Sequence, residues 1–182
     1  HNREHFAGRG MLALNLMGSP GSGKTALLEA TARALAAGGS PHRLAALSGD
    51  LATDHDGERL RAAGIPAATI TTGSACHLDA KLVHHALHHL ELGAADTLVI
   101  ENVGNLVCPA IYDLGQDANV VALSITEGED KPLKDPTRVL RADLVLLTKM
   151  DLAPHLDIDL DAMIGNLAKV MPDPRVIMVS AK

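Results

Sequence analysis

Short apolar runs alternate along the whole chain with stretches whose apolar residues fall at helical spacing. Seven runs read as strands: Leu12–Met17, Leu44–Leu47, Ala67–Ile70, Thr97–Ile100, Val120–Ile125, Leu144–Leu147 and Arg175–Val179. Between them, Lys24–Ala37, His55–Ala63, Asp79–Glu91, Thr137–Arg141 and Asp157–Val170 read as helices. Gly38-Gly39, Gly64 and Gly93 act as stop signals just past three of them. Strand–helix alternation of this kind predicts a mostly parallel central sheet with helices on both faces. Ligand sites in such sheets lie beyond the carboxyl ends of the strands. There is no internal repeat and no low-complexity linker, so 1–182 reads as a single domain.

Composition narrows the classes. A chain of 182 residues that is 47% hydrophobic can bury a real core. Phe6 and Tyr112 are its only aromatics, so that core must come from Leu, Val, Ile and Ala. A net charge of −6 with a pI near 5.9 argues against a nucleic-acid partner. No apolar run approaches the roughly 20 residues of a membrane span, which leads to the expectation of a cytoplasmic protein with no membrane partner. His1 in place of methionine, and a stop at Lys182 just after an apolar run, lead to the expectation of trimming at both ends. Two cysteines are too few for a disulfide scaffold and read as free thiols or metal ligands.

The strongest chemical signal follows the first strand. Gly18-Ser19-Pro20-Gly21-Ser22-Gly23-Lys24-Thr25 is a full match to G-x-x-x-x-G-K-[ST], set between a strand and a helix. The glycines let backbone N–H groups converge on phosphate oxygens, Lys24 reaches the terminal phosphates, and Thr25 offers a hydroxyl to Mg2+. The fold class is therefore α/β of the phosphate-loop (P-loop) NTPase type. Glu101 ends a strand and opens Glu101-Asn102-Val103-Gly104, which has the form of a D-x-x-G element with Glu for Asp. It is expected to approach the Mg2+ directly or through water, the plainer alternative being a carboxylate that caps the next turn. Asp50, Asp54 and Asp56 crowd the segment after the second strand, and spacing does not choose among them as a sensor of the γ-phosphate and its Mg2+.

Thr148-Lys149-Met150-Asp151 has the form [NT]-K-x-D. A carboxylate at Asp151 accepts from guanine N1–H and the exocyclic amine, whereas adenine would leave it facing an acceptor. Lys149 would lay its aliphatic stem along the base. Ser180-Ala181-Lys182 matches an S-A-K element that contacts guanine O6. Both elements, in order behind the phosphate loop, favour GTP over ATP. Thr148 stands where Asn is commoner, which predicts a weaker supporting hydrogen bond to the phosphate loop.

Cys76 and His77 sit side by side before a helix, and Cys108 lies a few residues beyond Glu101. Brought to one sheet edge, the three would suit Zn2+ or Ni2+, closed by water or by a second copy of the chain. The plainer reading is a pair of small buried apolar residues and a helix-start histidine. His84 with His88, and His85 with His89, fall at i and i+4, a spacing that binds metals but more often marks a solvated face. The charged segment from Glu127 to Pro136 reads as a mobile loop near the nucleotide or as a solvated connection.

Taken together, Gly18–Thr25, Asp50 through Arg59, Thr72–Asp79, Glu101–Pro109, Glu127–Pro132 and Thr148–Asp151 resemble the hydrogenase nickel-incorporation GTPases (the HypB family), relatives of the urease-accessory GTPases. The resemblance implies that Cys76, His77 and Cys108 bind Ni2+ or Zn2+ at the interface of a GTP-favoured homodimer. It also favours Asp56 as the switch carboxylate beside Thr25, with Asp50 nearby. It implies slow GTP hydrolysis that times nickel transfer to the hydrogenase large-subunit precursor, alongside other nickel-maturation proteins. No Cys-rich or His-rich tract precedes Phe6, which argues against nickel storage. Cys76-His77 replaces the Cys-Pro-His of the urease relatives, making urease the less favoured client. The rivals are a urease-type accessory GTPase, a small-molecule P-loop kinase, and a non-catalytic nickel buffer using the histidine helix.

Overall fold

The computed structural model describes residues 1–50, 53–73, 77–104 and 111–182. Its centre is a seven-stranded sheet: β1 Leu12–Gly18, β2 Leu44–Asp50, β3 Ala67–Thr71, β4 Thr97–Glu101, β5 Ala118–Ser124, β6 Leu144–Thr148 and β7 Val176–Met178. The strand order is β3-β2-β4-β1-β5-β6-β7, and every pairing is parallel. The expected sheet is thus present, and parallel throughout the described residues.

Alternation along β1 explains the layering. Ala13 and Met17 face one side, with α4 (Ala80–Leu87), α6 (Pro136–Leu140), α7 (Leu160–Val170) and the amino-terminal α1 (Asn2–Gly8). Leu14 and Leu16 face the other, with α2 (Lys24–Ala37) and α3 (His55–Ala62) supplying Leu28 and Leu60. Helices therefore cover both faces, as parallel strands require.

Three elements depart from the sequence pattern. Helix α1 has no apolar period and is held by two side chains: Phe6 is 1% exposed, and Asn2 donates to the carbonyls of Ala80 and Leu114 at 2.8 and 3.0 Å. The segment from Glu127 to Pro136 is not a bare loop. Ser124 and Glu127 form a capping box, and α5 (Lys131–Lys134) follows, braced by Lys131 against Glu127 and Asp135 at 3.4 and 2.9 Å. Helix α4 is shorter than its apolar spacing suggests, beginning after Asp79, whose carboxylate accepts from Leu82 N–H at 2.8 Å.

Parallel order decides where chemistry can happen. The carboxyl ends of β1, β2, β4, β5 and β6 carry Gly18, Asp50, Glu101, Ser124 and Thr148, so all five turns leave from one edge of the sheet.

Candidate functional site

The turn from β1 into α2 is glycine-built for a reason. Gly21 and Gly23 have φ of 75° and 93°, a region that L side chains rarely adopt. A Cβ on Gly18 would fall 2.4 Å from Ser22 Oγ and 2.7 Å from the Ala122 carbonyl oxygen. Lys24 Nζ donates to the carbonyls of Gly18 and Ser19 at 3.2 and 3.3 Å, laying its ammonium across the mouth of the loop. Burial pushes that ammonium below its ordinary pKa and nearby Arg138 adds to this, while Glu101, Asp56 and Glu127 oppose.

Next to it, Thr25 Oγ1 donates to Glu101 Oε1 at 2.8 Å. Glu101 is 3% exposed, and its second oxygen, Oε2, is buried without a hydrogen-bond partner among the described residues. Burial raises the Glu101 pKa, with Thr25 and Lys24 pulling the other way. A threonine hydroxyl beside an orphaned carboxylate oxygen is a donor set that suits a hard divalent cation. Asp50, Asp56 and Arg59 line the same cleft of about 400 Å3, together with Pro20, Gly21 and Gly23 through Ala26. Asp54 does not line it. Its carboxylate accepts from Thr69 and pairs with Arg61, which hold its pKa low. Asp50 accepts from Thr53.

Thr148 donates to the Ser22 carbonyl at 2.6 Å, so the supporting bond expected to be weak is short and buried. Lys149, at φ 61°, is the only non-glycine residue with positive φ among those described. Beyond it Asp151 receives Ser180 Oγ at 2.7 Å and pairs with Lys182 at 3.1 Å; these two partners hold its carboxyl below the usual range. Thr148, Lys149, Asp151, Ala181 and Lys182 line a second, mainly apolar cleft of about 280 Å3, which shares Gly23 and Ala26 with the first.

Two further residues, Glu127 from the charged segment singled out above and Arg138 just past it, contact the loop directly. Ser19 Oγ donates to Glu127 Oε2 at 2.7 Å and receives Arg138 Nη1 at 3.3 Å. The bonds span more than a hundred residues, and only a repeated charge pattern in the 127–138 segment hints at them.

Of the thiol and imidazole constellation, Cys76 and Cys108 lie outside the described residues. His77 stacks on Tyr112 with centroids 3.9 Å apart and planes 4° from parallel. Leu78 N–H, next in the chain, reaches Asn102 Oδ1 at 3.4 Å, and Asn102 Nδ2 donates to Asn15 on β1 at 3.0 Å. Gly104 packs so closely that a Cβ would meet three Pro20 atoms at 3.2 Å. Among the described residues no group of three or more His, Cys, Asp or Glu gathers as a metal site.

The CobW/HypB/UreG nucleotide-binding domain model matches residues 12–178. The chain is 53% identical over 181 residues to hydrogenase maturation factor HypB of Azotobacter vinelandii, covering all of this chain and 59% of that protein. It is 40% identical over 184 residues to hydrogenase/urease maturation factor HypB of Helicobacter pylori, covering 99% of this chain and 74% of that one. This chain belongs to the HypB family. A crystal structure of HypB from Helicobacter pylori in complex with nickel superposes with a TM-score of 0.90 at 39% identity, covering 98% of this chain and 83% of that one. The chain thus spans about 59% of the Azotobacter HypB protein, and its matched region is the family's nucleotide-binding domain. Among the described residues no helix is long and apolar enough to cross a membrane.

Proposed function

We propose that this HypB-family chain is a single cytoplasmic GTPase domain that couples GTP to nickel handling during hydrogenase maturation. Gly18, Ser19, Pro20, Gly21, Ser22 and Gly23 would cradle the phosphates with Lys24. Thr148, Lys149, Asp151, Ser180, Ala181 and Lys182 would hold guanine. Thr25, Glu101, Asp56 and Asp50 would hold Mg2+, for which the orphaned Glu101 oxygen beside the Thr25 hydroxyl is a fitting donor pair. A Mg2+ ion held by these residues would supply positive charge to offset that of the bound phosphates.

Guanine selection rests on the ionised Asp151, whose orientation Ser180 and Lys182 fix. Lys24 is already held at the mouth of the loop by the Gly18 and Ser19 carbonyls, and its ammonium would donate from there to a terminal phosphate. Among the described residues no side chain presents itself as a base for the attacking water, and slow, switch-like hydrolysis is the reading proposed.

Nickel or Zn2+ is the cargo, taken by Cys76, His77 and Cys108 in a GTP-favoured homodimer and passed to the hydrogenase large-subunit precursor. The observation that carries the coupling is the hydrogen bond from Leu78 N–H to Asn102. Asn102 follows Glu101, Leu78 follows His77, and Tyr112, four residues past Cys108, stacks on His77. A change at Glu101 therefore has a short covalent and hydrogen-bonded route to the metal ligands. Coupling between sites is reciprocal, so Ni2+ titration with and without a non-hydrolysable GTP analogue, read with oligomer mass, tests it. Tighter Ni2+ binding and a mass shift with the analogue are expected; equal affinities remove the switch.

A further inference from the structure

His84 on α4 and His88, the residue that caps its carboxyl end, form a pair of imidazoles that the nucleotide and thiol chemistry does not use. His84 Nε2 and His88 Nε2 face one another at 3.4 Å, with their rings crossed at 88°. The protonation of one member is fixed from outside the pair. Asn2 donates its amide to the carbonyls of Ala80 and Leu114, so its Oδ1 is the acceptor that faces His84 Nδ1 at 3.1 Å. Nδ1 of a neutral His84 must therefore carry the proton, and its Nε2 holds the lone pair.

That lone pair points toward His88 at a distance beyond a good N–H donor contact. Two nitrogens each about 2.0–2.1 Å from a tetrahedral ion stand about 3.3–3.4 Å apart, which is the separation found. An imidazole whose far nitrogen donates to an oxygen acceptor is also the usual supporting arrangement of a metal-binding histidine. Among the described residues no third His, Cys, Asp or Glu joins the pair, so the remaining positions of an ion held there fall to water.

We propose that His84 and His88 chelate a tetrahedral divalent cation of the Zn2+ type, with Asn2 as the positioning residue and water completing the coordination. The neighbouring pair, His85 and His89, has no counterpart to Asn2 among the described residues. Both histidines are exposed, and their ring centroids lie 5.3 Å apart. The proposed site contains no thiol and is built from α4 and its C-cap residue, so its ligands are distinct from those of the nucleotide-coupled site proposed above.

The test is Zn2+ titration of the chain carrying Cys76→Ser and Cys108→Ser, which removes the thiol ligands. One equivalent is expected to bind without a sulfur-to-metal absorption band and without dependence on GTP analogues. Adding His88→Gln, an exposed position, should weaken that equivalent at least tenfold, while His89→Gln should leave it intact. Long-range nitrogen NMR supplies a variant-free readout: the Nε2 signals of His84 and His88 should move on Zn2+ addition before those of His85 and His89. No uptake by the cysteine-free chain, equal losses from His88→Gln and His89→Gln, or unmoved His84 and His88 signals would each overturn the assignment.

Discussion

Thr25 and Glu101, 76 residues apart, meet through a 2.8 Å hydrogen bond, while the second carboxylate oxygen is buried with no partner among the described residues. Raised by burial, the Glu101 pKa makes the folded chain bind a proton more readily than the unfolded one. The sign follows from linkage: this group's contribution is fully present below its ordinary value near 4.5 and is lost as pH rises through the folded value. Glu101→Gln should therefore flatten the pH dependence of stability above pH 4.5, measured as the wild-type-minus-variant difference in urea unfolding. The same variant should lose Mg2+-dependent tightening of nucleotide binding. An unchanged difference curve would mean that Glu101 ionises without cost.

Asp151 is held by Ser180 and Lys182, which leaves a carboxylate of fixed orientation on the wall of the smaller cleft. Replacing it with Asn puts a donor where guanine also donates. GTP affinity should fall at least tenfold and the ratio of GTP to ATP affinity should approach one, as read by competition against a fluorescent nucleotide. Retained guanine preference would point to Ser180–Lys182 as the selecting element.

Gly104 touches Pro20 so tightly that a methyl group requires one backbone to give way. Gly104→Ala should cost about 1–3 kcal/mol of stability, the usual range for overpacking. More tellingly, it should weaken nucleotide binding through a displaced Pro20, since Gly104 and the phosphate loop line one cleft. Unfolding and nucleotide titration on one sample separate the effects; a stability loss with unchanged affinity would show the contact to be packing alone.

Asn102 joins β1, β4 and the segment after His77 through one buried amide. Asn102→Ala strands Leu78 N–H and Asn15, at about 1–3 kcal/mol of stability for each buried group left without a partner. Nucleotide affinity should survive, while the dependence of Ni2+ affinity on the GTP analogue should disappear. If the dependence persists, coupling runs by another route.

The strands were legible as apolar runs, which burial between helix layers explains for the inner strands though not for β7, whose Ile177 and Met178 are exposed, and the phosphate loop because its residue types have little other use. What escaped was long-range. Nothing local to Glu127 says that its carboxylate will hold Ser19, and a polar octet gives no warning that Phe6 will be buried in the core while Asn2 ties α1 to Ala80 on α4 and to Leu114. Asp54 and Asp56 look equivalent on paper, two residues apart. Helix geometry separates them, turning Asp56 toward the cleft while Asp54 is taken by Arg61 and Thr69. The expectation about Thr148 erred because it weighed side-chain type without the approach of the Ser22 carbonyl.

Gly23 and Ala26 form part of both clefts, so the opening turn of α2 is a partition with a ligand-binding surface on each side. With the nucleotide placed as proposed, the phosphates would lie on one side of that partition and the base on the other, so guanosine alone or pyrophosphate alone would meet one side only.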